Sequence, residues 1–156
     1  MSIEMKPFDF ILDAREIIMR DLDDLIIEVH ATAEYDLWRS VPGIKNSVGT
    51  LAFHLCGNLR HFIGSVIGND GYIRKREEEF SRQDISKDDL IQEIRLTRQA
   101  VDKALSNLTN VQLCEVMADT PPQHKGRTVG FFLMQLLCHL SRHRGQLNYL
   151  RRIILA

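Results

Sequence analysis

The sequence is poor in cysteine and proline, and it contains no long hydrophobic run. Its cysteines, Cys56, Cys114 and Cys138, are odd in number and widely spaced, which excludes a disulfide framework and a CxxC redox or zinc motif. We expect each to be a free thiol that packs as a small hydrophobic side chain. No stretch approaches the ~18 apolar residues of a membrane span, and the N-terminal MSIEMKPFDF lacks the apolar core of a signal peptide. These absences predict a cytoplasmic protein outside the membrane.

Neither sign of charge dominates, because 20 lysines and arginines face 21 aspartates and glutamates, for a formal charge of -1. The chain therefore has no overall attraction for nucleic acid or an anionic membrane. The one basic cluster, RHRGQLNYLRR, lies on a helix that we expect to be largely buried, which disfavours nucleic-acid binding. A length of 156 residues suits one domain, 1–156, with a sizeable core.

Apolar residues recur at steps of three and four, and no credible strand hairpin is present. The pattern predicts four helices, at residues 8–31, about 48–67, 86 to about 108, and about 129 to near the C-terminus. Helix caps are expected at Asn46 or Ser47, at Ser86 and at Thr128. Connections of about 14 to 18 residues are long for a simple bundle, and such loops often form the walls of a site. The predicted fold is an all-α four-helix bundle with long connections.

Two histidines interrupt the apolar row of the last helix. That row contains Phe132, Leu136, Leu140 and Leu147. His139 and His143 stand one turn apart on the same side, so that both rings can reach one ion at bonds of about 2.0–2.1 Å. Buried imidazoles without an ion leave costly unsatisfied nitrogens, although hydrogen bonds to neighbouring groups are an alternative. The HxxxH pair predicts half of a metal site.

A third ligand must come from another helix, since catalytic sites of the zinc type usually have three protein ligands and an open position. His54 lies about 60° outside the apolar stripe of the second helix at 100° per residue, and Asn58 and His61 extend the same polar edge. His54 and His61 compete for the role on spacing alone. His30 and His124 are expected to be ordinary surface residues.

Other metal motifs are missing. Leu140 occupies the position of the glutamate in HExxH, and no Glu-x-x-His pair occurs, which excludes a zinc peptidase and a di-iron carboxylate bundle. A site rich in imidazole suits zinc or nickel, with iron or copper as alternatives, and disfavours magnesium and calcium.

Two segments, NSVGTLAFHLCGNLRHFIG and CHLSRHRGQLNYLRR, resemble the DinB-like (YfiT-like) family of metal-binding four-helix bundles. The first carries a histidine near the start of a helix, and the second carries HxxxH followed by Gly-Gln. The resemblance implies a metal triad of His54, His139 and His143 with at least one open position, in a protein that is often a homodimer. It thereby favours His54 over His61.

The resemblance also suggests an activity, because some members of that family are thiol transferases that use bacillithiol or mycothiol. We expect a metal-dependent S-transferase that joins a low-molecular-weight thiol to a small electrophile. Asn58 and Gln146 are candidates to orient substrate or water, with surface or interhelical hydrogen bonds as the alternative. Arg142 and Arg144 could attract an anionic thiol, but they lie on other faces of the helix than His143, and such charges are more often solvated. The alternatives are a metal-dependent hydrolase and a non-catalytic, stress-related metal-binding bundle.

Overall fold

The computed structural model describes residues 7–155, and all regular secondary structure in that range is helical. The helices are α1 (Phe10–His30), α2 (Val48–Leu59), α3 (Arg76–Ser81), α4 (Lys87–Asn107), α5 (Asn110–Leu113) and α6 (Val129–Ile154). A π-helical segment, Arg60–Ile67, extends α2, and short 3-10 turns cover Glu34–Asp36 and Pro122–His124. The predicted all-α class is confirmed. None of the helices found in residues 7–155 has the length and apolar character needed to cross a bilayer.

The long helices begin where short polar side chains can cap them. Ser47 accepts a hydrogen bond from the backbone N–H of Thr50, and Thr128 accepts one from Phe131. Ser86 caps α4 in the same way, through the N–H of Asp89. Each side chain satisfies an amide that would otherwise lack a partner in the first helical turn. The predicted starts of α2, α4 and α6 are therefore confirmed, with Ser47 rather than Asn46 as the cap.

The core lies between the four long helices, with α1 and α2 each packed against both α4 and α6. The apolar stripes predicted on α2, α4 and α6 face it. Its largest fully buried side chains include Leu55, Leu59, Ile63, Leu90, Ile94, Leu105, Leu133 and Leu140. The apolar row that predicts the first helix begins with Phe8 and includes Leu12, and this part of the prediction was wrong, because Phe8 is 83% exposed and Leu12 is 56% exposed. The observed α1 begins only at Phe10, so that its inward face starts at Ile11 and Ala14.

The long connections contain short helices that the periodicity did not predict. Helix α3 lies in the charged segment after α2 and packs against α2. Its first turn carries Glu77, Glu78 and Glu79, whose negative charges are favourable at the positive end of a helix. Helix α5 begins at a capping box formed by Thr109 and Gln112. Because these helices are only four to six residues long, tertiary contacts must stabilise them.

Candidate metal centre

Packing of α2 against α6 brings three histidines together. His54 comes from the middle of α2, and His139 and His143 come from successive turns of α6. One ring nitrogen from each lies within 4.8 Å of the others. The Nε2 atoms of His54 and His139 are 3.0 Å apart. Two nitrogens bound to one tetrahedral zinc ion lie about 3.3 Å apart, so small ring rotations would adapt this cluster to an ion.

The far sides of two of the rings are held by side chains. The Nδ1 atom of His54 is 2.8 Å from Oε2 of Glu79, and that of His143 is 2.7 Å from Oε1 of Gln146. When each Nδ1–H donates to these oxygens, the lone pair of each Nε2 is directed into the cluster. Metal-binding histidines in proteins are usually oriented by such partners. The donor set and its outer contacts therefore fit a divalent transition metal.

The carboxylate of Glu79 contacts two polar side chains, Arg74 and His54. Arg74 donates two hydrogen bonds to its carboxylate, from Nε to Oε1 at 2.6 Å and from Nη2 to Oε2 at 2.8 Å. This carboxylate is almost fully buried against Gly57 of α2. A Cβ atom at Gly57 would lie 2.1 Å from Oε1 of Glu79. The glycine is therefore needed for α3 to bring its carboxylate up to His54.

The surroundings of the cluster lower the pKa values of two of its rings, those of His139 and His143. Burial lowers the pKa of His139 to about 3, with further lowering from the nearby rings of His143 and His54. Burial also lowers the pKa of His143, against the opposing effect of its hydrogen bond with Gln146. Burial alone would raise the pKa of Glu79, but hydrogen bonds from Arg74 and His54 outweigh it and lower that pKa. At neutral pH the rings of His139 and His143 are thus neutral, and the carboxylate of Glu79 is ionised.

A cavity of about 690 Å³ opens onto the three histidines. This volume is in the range of pockets that hold small organic molecules. Its apolar wall consists of Phe62, Phe80, Phe132 and Leu136. The side chain of Asn58, 7% exposed, also lines it, and its Oδ1 atom is buried without a hydrogen-bond partner among residues 7–155. A donor inside the cavity would satisfy that oxygen.

The structure separates the competing histidines. His54 is 6% exposed and belongs to the cluster, whereas Nε2 of His61 is 3.1 Å from Oδ2 of Asp119 and lies outside it. His30 is exposed, as expected. The expectation for His124 was wrong, because its half-buried ring packs near those of Phe131 and Phe132 and lines the cavity. Its position depends on the turn Pro122–His124, which helical periodicity does not reveal.

The other candidate site residues lie in different surroundings. Gln146 contacts His143 directly, and Asn58 faces the cavity. Arg142 lines the cavity, but Arg144 does not, because it forms an ion pair with Asp24 of α1. Sequence periodicity placed both arginines on helix faces other than that of His143, and it did not predict that Arg142 lines the cavity.

Glu79 and Arg74 were missed by the sequence analysis. Both lie in the charged connection after α2, where Glu77, Glu78 and Glu79 look equivalent. Only Glu79 is buried. A weak signal exists in Gly57, which stands one turn after His54 and indicates a close approach by another chain segment.

The cysteines lie away from the site. All three are free. Cys56 is buried, and burial raises the pKa of its thiol to about 12, so it is not a nucleophile at neutral pH. Cys114 and Cys138 are exposed, contrary to the expected burial, and none of the three lines the cavity.

The fold and the site together define an all-helical protein with three neighbouring histidines that could hold a metal ion. A family model described as "Protein of unknown function (DUF1572)" matches residues 12–156, nearly the whole chain. The protein belongs to this family. A search of the curated proteins found no match.

Proposed function

We propose that the protein is a metal-dependent enzyme, and specifically an S-transferase that joins a low-molecular-weight thiol to a small electrophile. The main support for the proposal is the cluster of three histidines, in which one ring nitrogen from each lies within 4.8 Å of the others. The cluster lies on the wall of a cavity large enough for a small molecule. His54, His139 and His143 are the proposed metal ligands. Zinc or nickel suits this donor set best, with iron or copper as alternatives.

An open coordination position is supported by the make-up of the cluster. Among the residues that the structure describes, the group holds three histidines and no fourth cysteine, histidine or carboxylate ligand. Structural zinc sites are usually closed by four protein ligands, whereas catalytic sites keep one position for water or substrate. The cavity supplies access to that position. This favours a catalytic centre over a purely structural one.

The thiol of the proposed reaction must come from a second small molecule, because no cysteine lines the cavity. A bound metal ion would lower the pKa of a thiol beside it and so raise the fraction of reactive thiolate. The sulfur would bond to the electrophilic carbon, the leaving group would depart with its electron pair, and the thiol proton would pass to solvent. The aromatic wall would hold the apolar part of the electrophile, and Asn58 would accept a hydrogen bond from either reactant.

Hydrolysis is the second candidate, with a water molecule in place of the thiol. A general base for it is harder to find. Glu79 is occupied by His54 and Arg74, and Asp119, which among residues 7–155 is the one carboxylate on the cavity wall, is hydrogen-bonded to His61. A third candidate is the non-catalytic, stress-related metal-binding bundle.

We also propose that the four long helices form a bundle of the DinB-like type and that the protein is a homodimer. The order of the histidine-bearing segments and the packing of α1 and α2 against α4 and α6 support the bundle. The dimer rests on the family resemblance, and light scattering on the purified protein tests it.

Metal content is the first test. Elemental analysis of the purified protein should find about one transition-metal ion per chain, which the His143→Ala variant should lose. His61→Ala is the matched control, because His61 follows α2 but lies outside the cluster, and it should keep its metal. Full metal content in His143→Ala would refute the triad.

Thiol transfer is the second test. Bacillithiol, mycothiol and cysteine would each be incubated with 1-chloro-2,4-dinitrobenzene, from which chloride departs as the carbon–sulfur bond forms. Activity should require the metal and should be absent in His143→Ala. Transfer that continues at the same rate after metal removal would refute the mechanism, and hydrolysis of esters in its place would favour the second candidate.

A further inference from the structure

The charged side chains on the cavity wall are mostly positive. Arg74, Arg76 and Arg142 line it, against a single carboxylate, that of Asp119, in the part of the chain that the structure describes. That carboxylate is 3.1 Å from the ring of His61, so it already has a partner. The cavity therefore carries an excess of positive charge beside the three histidines.

Two of these arginines are available to a ligand. Arg74 is bound to Glu79 through two of its nitrogens. Arg76 and Arg142, by contrast, form no ion pair with a carboxylate among residues 7–155.

The two arginines reach the cavity from different helices. Arg142 belongs to the α6 turn between the two histidines, while Arg76 begins α3. The guanidinium of Arg76 lies 5.5 Å from the centre of the Phe80 ring, a contact that restricts its motion. Guanidinium groups donate paired hydrogen bonds to carboxylates and phosphates, and these bonds are stronger than those between neutral groups.

We propose that the cavity selects anionic ligands, and that Arg142 and Arg76 bind a carboxylate or phosphate group of the molecule that reaches the three histidines. This inference rests on the proposed function, since it names the class of reactant for the same site. One reactant of the transferase, the thiol or the electrophile, is then an acid. The two arginines determine specificity and do not take part in the chemical step.

Calorimetric titration of the full-length protein tests this inference. Succinate, inorganic phosphate and the neutral counterpart succinamide would be titrated into metal-free protein at low ionic strength, so that direct binding to a metal does not contribute. Succinate or phosphate should bind at one site, and the tighter of the two identifies the class of anion. Succinamide should bind about tenfold more weakly, because its amide groups carry no negative charge to pair with the guanidinium groups.

Variants assign the binding to the two arginines. Arg142→Gln and Arg76→Gln should each weaken anion binding by roughly tenfold, while Arg142→Lys should retain part of it through its charge. Arg152→Gln is the matched control, an exposed arginine of α6 outside the cavity, and it should bind as the wild type does. Equal anion binding in Arg152→Gln and in the double variant of Arg76 and Arg142 would overturn the inference.

Zinc content, measured on every sample after reloading, separates this inference from the proposed function. One zinc per chain without anion binding would overturn the inference and leave the metal site standing. Anion binding by wild-type protein that holds no zinc would overturn the proposed function and leave the anion site standing. Retained zinc in Arg142→Gln would also show that the variant folds.

Discussion

His54 and His143 are each held through Nδ1 by a side chain that the metal itself would not touch. Glu79 holds the first and Gln146 the second. Fixing the tautomer and the ring direction in advance reduces the entropy lost when an ion binds, and a carboxylate partner also makes the imidazole a better donor. The contribution of Glu79 should be the larger one, because it is charged and buried.

Replacing Glu79 by glutamine should weaken metal binding by roughly 10–100-fold, the usual effect of losing such a partner. A competing chromophoric chelator measures the affinity. Glu78→Gln is the matched control, since Glu78 is a neighbour on α3 whose ion pair with Lys75 is partly exposed. Equal affinities in the two variants would show that Glu79 does not support the metal ligands.

The metal-free protein should lose stability as the pH falls from about 6.5 towards 3. The pKa of His139 is about 3 in the folded protein and 6.5 in its unperturbed state. Between these values the unfolded chain binds a proton that the folded chain does not, so acid favours unfolding, and the stabilisation is complete only above 6.5. Glu79, whose pKa is lowered, adds a loss of the same sign at lower pH.

Urea unfolding at about pH 7 and pH 5, in the presence of a chelator, measures this dependence. His139→Gln removes the titrating ring, so its free energy of unfolding should change less between the two pH values than that of the wild type. An identical pH dependence in both proteins would exclude His139 as its source.

At the scale of the helices, α3 can pack closely against α2 because Gly57 of α2 has no side chain. The carboxylate of Glu79 occupies the space where a Cβ atom would lie. The short helix α3 can thus place the carboxylate of Glu79 beside Nδ1 of His54. Gly57 thus affects the position of His54, although it contacts neither the proposed metal nor the cavity.

Gly57→Ala should therefore displace Glu79, weaken metal binding by about tenfold and destabilise the fold by ~1–3 kcal/mol, as overpacking usually does. Gly145→Ala is the control, because a Cβ atom there meets nothing within 4 Å although the residue lies only two positions after His143. It should keep its metal and gain about 0.5–1 kcal/mol of stability. Metal titration and urea unfolding measure both effects; full affinity in Gly57→Ala would contradict the coupling.

For the whole molecule, an ion bound by His54, His139 and His143 would link α2 to α6 across the core. A ligand that binds only the folded state stabilises it, and the stabilisation grows with the logarithm of the ratio of the ligand concentration to Kd. Metal binding by these three histidines would therefore be coupled to folding.

Zinc at 100 times its Kd should stabilise the protein by about 2.7 kcal/mol, which corresponds to a rise in Tm of roughly 5–10 °C for a chain of this size. Differential scanning fluorimetry measures the shift. Magnesium should produce none, since the site offers imidazole rather than oxygen ligands. A similar rise with zinc in His139→Ala would mean that zinc acts elsewhere on the chain.

The sequence alone determined the all-helical class, the starts of α2, α4 and α6, and the pair His139 and His143. These depend on local rules, namely helical periodicity, capping side chains and the i,i+4 spacing of one helix face. The same rules failed for Phe8 and Leu12, which continue an apolar pattern but are exposed to solvent among residues 7–155.

Only the tertiary structure decided which residues surround the histidine pair. Spacing left His54 and His61 as alternative candidates for the third metal ligand, and the packing of α2 against α6 places His54, not His61, next to the pair. Likewise, Glu79 could not be told from its acidic neighbours until α3 was seen to dock on Gly57. Contacts between segments distant in sequence depend on how helices cross and where connections return, and neither is encoded in the local periodicity of the chain.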